Sequence, residues 1–110
     1  MRRWLSVALL ALVVAMGLLG AWPSTALGAE GEPFVVGLFA PMTGENAEYG
    51  RSFRQAIDLF VSRLNASGGI NGHPLEIVVS DDRSDPREAA NIAQRYASDR
   101  RILATIGSFT

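Results

Sequence analysis

Asp81, Asp82 and Asp85 are the densest set of groups in this sequence that could hold a metal ion or move a proton. Their spacing lacks the glycine and the distal glutamate of a calcium-binding loop, so it does not favour a cation site. Asp85 stands directly before Pro86, with Glu88 three residues on, and reads as a helix cap; Asp81 and Asp82 then read as the solvated exit of a strand. The single histidine, His73, has no second histidine, cysteine or paired carboxylate to orient it, and is expected in a turn or on the surface rather than as a catalytic base. Gly68, Gly69 and Gly72 follow a helical stretch and precede a strand. A phosphate cradle needs the reverse order, so these are turn glycines. Asn65-Ala66-Ser67 is formally a glycosylation acceptor at a helix end and receives no role. With no cysteine there is no disulfide, thiolate metal site or cysteine nucleophile. No catalytic residue, metal site or cofactor motif emerges.

One aromatic residue is better placed. Tyr49 lies where a polar stretch, residues 41–50, enters a helix. Its ring could pack the helix start, or it could line a pocket beside helix N–H groups suited to a carboxylate.

The elements that must position it follow from periodicity. Phe34–Ala40 is an almost wholly apolar run between Pro33 and Pro41, the pattern of a strand covered on both faces. Phe53, Ala56, Ile57, Phe60, Val61 and Leu64 then recur at helical spacing with polar residues opposite, and Gly68 closes the helix in the left-handed conformation. After a turn through Asn71, Gly72 and Pro74, residues 75–80 form the second strand. A helix capped by Asp85 runs to about Asp99 and buries Ala89, Ala93, Tyr96 and Ala97; Ile102–Ile106 is the third strand. The order βαβαβ predicts a Rossmann-like α/β fold with a parallel sheet and the first strand central. Ligands of such sheets bind where the loops after the first and third strands diverge, here residues 41–50 and Ser108 onward.

The charge balance is ten arginines and no lysine against eleven carboxylates, a formal −1 with no basic block, so nucleic acid is not an expected partner. The 48% hydrophobic content is unevenly spread: residues 1–29 hold 20 of the hydrophobic residues, and the remaining 81 residues hold 33, an ordinary share for a soluble chain. Arg2 and Arg3, the uncharged residues 5–21, Pro23 and a small-residue stretch follow the grammar of a cleaved signal peptide. Residues 1–28 are expected to be removed, leaving Ala29 as the new terminus, with cleavage after Ala26 as the alternative. Lacking a cysteine to lipidate, the mature chain is expected to be a free periplasmic protein of net charge −3. Residues 29–33 form a short extension. Residues 34–110 are expected to be the start of a longer protein, because three strands leave a sheet edge and a face uncovered.

Several motifs together carry a resemblance: Pro41-Met42-Thr43-Gly44, Ala47-Glu48-Tyr49-Gly50, the run from Leu64 through Asn65-Ala66-Ser67-Gly68-Gly69-Ile70-Asn71-Gly72, Leu75-Glu76-Ile77-Val78-Val79, Asp81-Asp82 with Asp85-Pro86, and Ile106-Gly107. Residues 34–110 resemble the periplasmic substrate-binding proteins of branched-chain amino acid ABC transporters, the leucine/isoleucine/valine type of the type 1 periplasmic-binding fold. Gln55, Leu64 and His73 depart from the usual residues; none falls at an expected ligand contact, and they bear on the subfamily and the substrate rather than on the class. The resemblance implies that residues 34–110 are part of lobe 1 of a two-lobed, non-enzymatic receptor. Such a receptor binds a branched-chain amino acid, or a related amino-acid or amide solute, between its lobes and delivers it as a monomer to a permease and its ATPase in the inner membrane. It also implies that Tyr49 lines the pocket and that Phe109 and Thr110 begin the second ligand-contacting loop. An exported ligand-sensing domain of a signalling receptor would use the same fold.

Overall fold

The computed structural model describes residues 28–109, so all but the last residue of the expected leader, and Thr110, lie outside the described residues. The elements are β1 (Phe34–Ala40), α1 (Ala47–Ala66), β2 (Leu75–Asp81), α2 (Pro86–Ser98) and β3 (Ile102–Ile106). The strands make one parallel sheet in the order β2-β1-β3. Both helices are crossovers, and the open α/β architecture predicted from the periodicity is the one observed.

β1 becomes buried toward its C-terminal end, where Leu38, Phe39 and Ala40 are core residues. Its side chains alternate between faces. Phe39 packs with Ala89, Ile92 and Tyr96 of α2, joined by Val78 and Ile102. Leu38 looks the other way, toward Phe53, Ala56 and Ile57 of α1. Gly37 shares the α2 face, where an added Cβ would lie 2.5 Å from the Tyr96 ring, so the missing side chain is what lets that ring lie flat on the strand. The Tyr96 hydroxyl then reaches Ser80 Oγ at 2.7 Å, with the carbonyls of Leu38 and Val78 at 3.2 Å. A polar tip on a buried ring is thereby satisfied between two strands.

Asp85 caps α2 as expected: its Oδ1 accepts the Arg87 N–H at 2.8 Å, and Pro86 occupies the first helical position. Glu88 does not reach back to complete the box. Arg83 and Ser84 take left-handed backbone angles, φ 51° and 58°, and fold the loop so that the Asp85 N–H donates to the Asp82 carbonyl; Glu88 instead lies 3.6 Å from Arg83 and 3.7 Å from Arg95. The buried phase of α2 also differs from expectation. Ala89 and Tyr96 are buried, but the third core residue is Ile92, fully enclosed, whereas Ala93 and Ala97 are exposed. The two alanines look over β3, which is an edge strand. They border an open groove of about 250 Å³ with Ile102, Ala104 and Thr105. Burial of Ile92 contributes roughly 2 kcal/mol.

α1 begins at Ala47, ahead of its first periodic apolar residue, and ends through Gly68 and Gly69, both at positive φ. Its expected apolar face is only partly covered: Phe53 is 39% and Phe60 60% exposed. A single layer of three strands lies beneath it, too narrow to cover a helical face of this length. β3 is exposed for the same reason, and its pairing with β1 skips Leu103, which is 64% exposed.

The turn between α1 and β2 is tied by Asn65, whose Nδ2 donates to the Leu75 carbonyl at 2.9 Å while its Oδ1 accepts the Leu75 N–H at 2.8 Å. His73 sits in the turn, as expected. Its Nδ1 is 2.8 Å from the Glu32 carbonyl and its ring stacks on Phe34 with centroids 4.6 Å apart, fastening the short N-terminal extension to the turn.

Candidate binding crevice

β1 is central, β2 and β3 flank it, and the segment after β3 brings Phe109 against the start of α1, which follows β1. The segments after these two strands therefore border a crevice at the C-terminal edge of the sheet. Tyr49 reaches this edge from the first turn of α1 and Phe109 from the segment after β3. Their rings stack, with centroids 5.0 Å apart and planes at 23°, and Phe53 meets Phe109 at 5.3 Å in a tilted pair. Tyr49 is 53% exposed and Phe109 45%, so the two rings form an apolar wall open to solvent rather than a core contact. Thr110, expected beside them, lies outside the described residues.

Beneath Phe109 lies a cavity of about 320 Å³ lined mainly by apolar side chains, among them Leu38, Phe53, Ala56, Ile57 and Ile106, with Ser108 as its polar member; Tyr49 stands outside it at the crevice mouth. A shallow depression near Asn91, Gln94 and Arg95 sits on the solvent-facing side of α2, away from this edge. The first-turn N–H groups of α1 are partly engaged. Ala47 N–H donates to Gly44 O at 3.2 Å and Tyr49 N–H to Asn46 O at 3.1 Å, so the helix end offers a solute fewer donors than its sequence position suggests.

The loop that leads into Tyr49 is held from two sides. Gly50 is buried directly against it, and an added Cβ there would collide with the Pro41 carbonyl. From the other side, the aspartates expected to be a solvated strand exit turn inward instead. Asp81 Oδ1 accepts the Met42 N–H at 2.8 Å and the Arg83 N–H at 2.9 Å, and its Oδ2 accepts the Thr43 hydroxyl at 2.6 Å. Partial burial pulls the Asp81 carboxyl upward, but the hydrogen bonds, first that from Thr43, outweigh it and hold the group below its ordinary value of 3.8. Asp82 is fully buried; its Oδ1 accepts the Ser84 N–H at 3.0 Å, and its Oδ2 meets no donor among the described residues. Asn46, the N-cap of α1, leaves its helix uncapped by its side chain and donates from Nδ2 to Ser84 Oγ at 3.0 Å. Sequence reasoning missed this bridge because its partners lie far apart in the chain. The signal available was the pairing of a threonine-bearing loop with an aspartate at the end of the neighbouring strand.

An open parallel sheet with an aromatic-walled crevice at its C-terminal edge is an α/β architecture of the kind in which ligands are bound at that edge. The model of the family described as periplasmic binding protein matches residues 33–110, and the chain belongs to that family. It is similar to Leu/Ile/Val-binding protein homolog 1 of Brucella abortus, at 36% identity over 75 residues that cover 68% of this chain and 20% of that protein. Among solved structures it is similar to the branched-chain amino acid transporter substrate-binding protein of Streptococcus pneumoniae in complex with isoleucine. That match has a TM-score of 0.65 at 28% identity and covers 70% of this chain and 22% of the other. A leucine-binding protein of Thermotoga maritima matches with a TM-score of 0.60 at 31% identity, covering 67% and 20%. The chain thus spans about a fifth of the length of the relatives it matches.

Proposed function

We propose that residues 34–110 form part of the first lobe of a periplasmic solute receptor of an ABC transporter. The receptor takes a branched-chain amino acid, or a related amino-acid or amide solute, at this crevice and hands it to the membrane permease and its ATPase. The observation that carries the reading is the meeting of Tyr49 and Phe109 at 5.0 Å at the C-terminal edge of the sheet, beyond β1 and β3. Similarity to a protein solved in complex with isoleucine and to a leucine-binding protein supports the solute class. Tyr49 and Phe109 supply one apolar wall for the solute's body, and a second lobe closes over the opposite side. Closure is a hinge equilibrium: solute that contacts both lobes binds the closed form better and shifts the population toward it. Residues 1–28 are the leader that directs export, and the mature protein works as a monomer.

The test is a ligand-dependent thermal shift of the mature receptor across amino acids, amides and urea. A solute that binds the native state at a hundred times its Kd stabilises it by about 2.7 kcal/mol, a readily measured rise in Tm. A rise confined to branched-chain or related solutes is the expected result; no rise with any solute would overturn the reading.

A further inference from the structure

We propose that Asp81 is a positioning residue for the crevice: from the end of β2 it sets the path of the loop that carries Tyr49, without itself lining the aromatic wall. This inference rests on the receptor reading above. The bonds to Asp81 divide in an informative way. The Met42 and Arg83 N–H groups meet Oδ1 and the Thr43 hydroxyl meets Oδ2, with the Thr43 backbone N–H also acting on the carboxylate. Asp81 therefore binds the β1–α1 loop through Met42 and Thr43 and its own loop through Arg83, so one side chain joins the two. Ser84, on the same turn, takes the Asn46 side chain at the far end of the first loop. With Gly50 packed on Pro41, the segment from Pro41 to Asn46 is held at its start, its middle and its end, and Tyr49 follows immediately on α1. A ring that must meet a solute needs this kind of support, because a binding side chain is only as well placed as the backbone that carries it.

The division of bonds predicts which replacement rescues the function. In Asp81→Asn the amide oxygen can keep the Met42 and Arg83 N–H bonds, and the NH₂ can donate to the Thr43 hydroxyl oxygen, which accepts as readily as it donates. In Asp81→Ala every one of these bonds is lost. The expected result is that Asp81→Ala weakens solute binding by about tenfold, the equivalent of one charge-assisted hydrogen bond, while Asp81→Asn stays within about threefold of wild type. Amide hydrogen exchange gives a readout independent of any solute. Met42 should exchange faster in Asp81→Ala and return toward the wild-type rate in Asp81→Asn, with the amide of buried Ile92 protected in all three. Wild-type affinity in Asp81→Ala, or an Asp81→Asn as weak as Asp81→Ala, would overturn the proposal. Should Asp81→Ala fail to fold, Thr43→Val removes the Oδ2 bond alone and should weaken binding by a smaller factor; no change would count against the proposal. If the wild-type receptor binds no solute in the panel, the receptor reading fails and Met42 exchange alone decides whether Asp81 holds the loop: an unchanged rate in Asp81→Ala overturns that role.

Discussion

The Tyr96 hydroxyl lies 2.7 Å from Ser80 Oγ, across the interface between α2 and the sheet, and it stands beside the carbonyls of both β1 and β2. The contact exists because Gly37 leaves room for the ring. It sets the height of α2 above the strands whose ends make the crevice.

Tyr96→Phe keeps the ring and its edge contact with Phe39 but leaves the Ser80 hydroxyl without that partner. The loss expected is about 1 kcal/mol, with a further penalty if Ser80 cannot reach another group. Chemical denaturation should show a lower midpoint at unchanged slope. An unaltered midpoint would mean that the hydroxyl contributes nothing net.

Asn65 satisfies both polar groups of Leu75 where β2 begins. Asn65→Ala removes two partly buried bonds, and a destabilisation of about 2 kcal/mol is expected. Asn65→Asp should recover part of it, since one oxygen can still accept the Leu75 N–H. Equal stability of all three chains would contradict the assigned pairing.

Gly50→Ala places a methyl group against the Pro41 carbonyl within a good helical position. Helix propensity alone would favour alanine by up to about 1 kcal/mol. The collision should reverse that sign and displace the loop before Tyr49, lowering solute affinity. A variant more stable than wild type with unchanged affinity would show that the loop yields without consequence.

Acid should weaken the fold through two aspartates. The Asp81 carboxyl is held below its ordinary 3.8 by hydrogen bonds that outweigh partial burial, and the Asp99 carboxyl is lowered to about 2, chiefly by the Arg101 hydrogen bond. A group whose folded-state pKa is depressed stabilises the fold fully above its unfolded value, and that contribution disappears as pH falls through the folded value. Stability should therefore decline as pH drops below 3.8. Asp81→Asn, with no proton to gain, should flatten part of that decline in an acid denaturation series; an identical slope would remove Asp81 from the account.

Much of this architecture is legible in the sequence because it is local. The apolar run of β1, the cap at Asp85 and Pro86 and the glycines after α1 each act within a few residues, and β1, α2 and the α1 terminus form where those signals place them. What was not legible depends on partners brought together by the sheet. Ala93 and Ala97 share an apolar stripe with Tyr96, yet β3's position at the edge leaves them exposed while Ile92 is enclosed. Asp81 and Asp82 look like a solvated strand end until β1 and β2 lie side by side and deliver Met42 and Thr43 to Asp81. At the crevice, Tyr49 and Phe109 could be singled out from motifs, but their stacking is a product of the crossover that places β3 beside β1.

The most direct measurement is titration calorimetry of leucine, isoleucine and valine into the mature receptor, with wild type and Tyr49→Ala compared side by side. Saturable one-to-one binding, about micromolar or tighter, is expected in the wild type, with a loss of about tenfold or more in Tyr49→Ala. Saturable binding that is equally tight in both proteins would contradict the placement of Tyr49 in the site, and no binding by the wild type of these or any related solute would contradict the receptor itself.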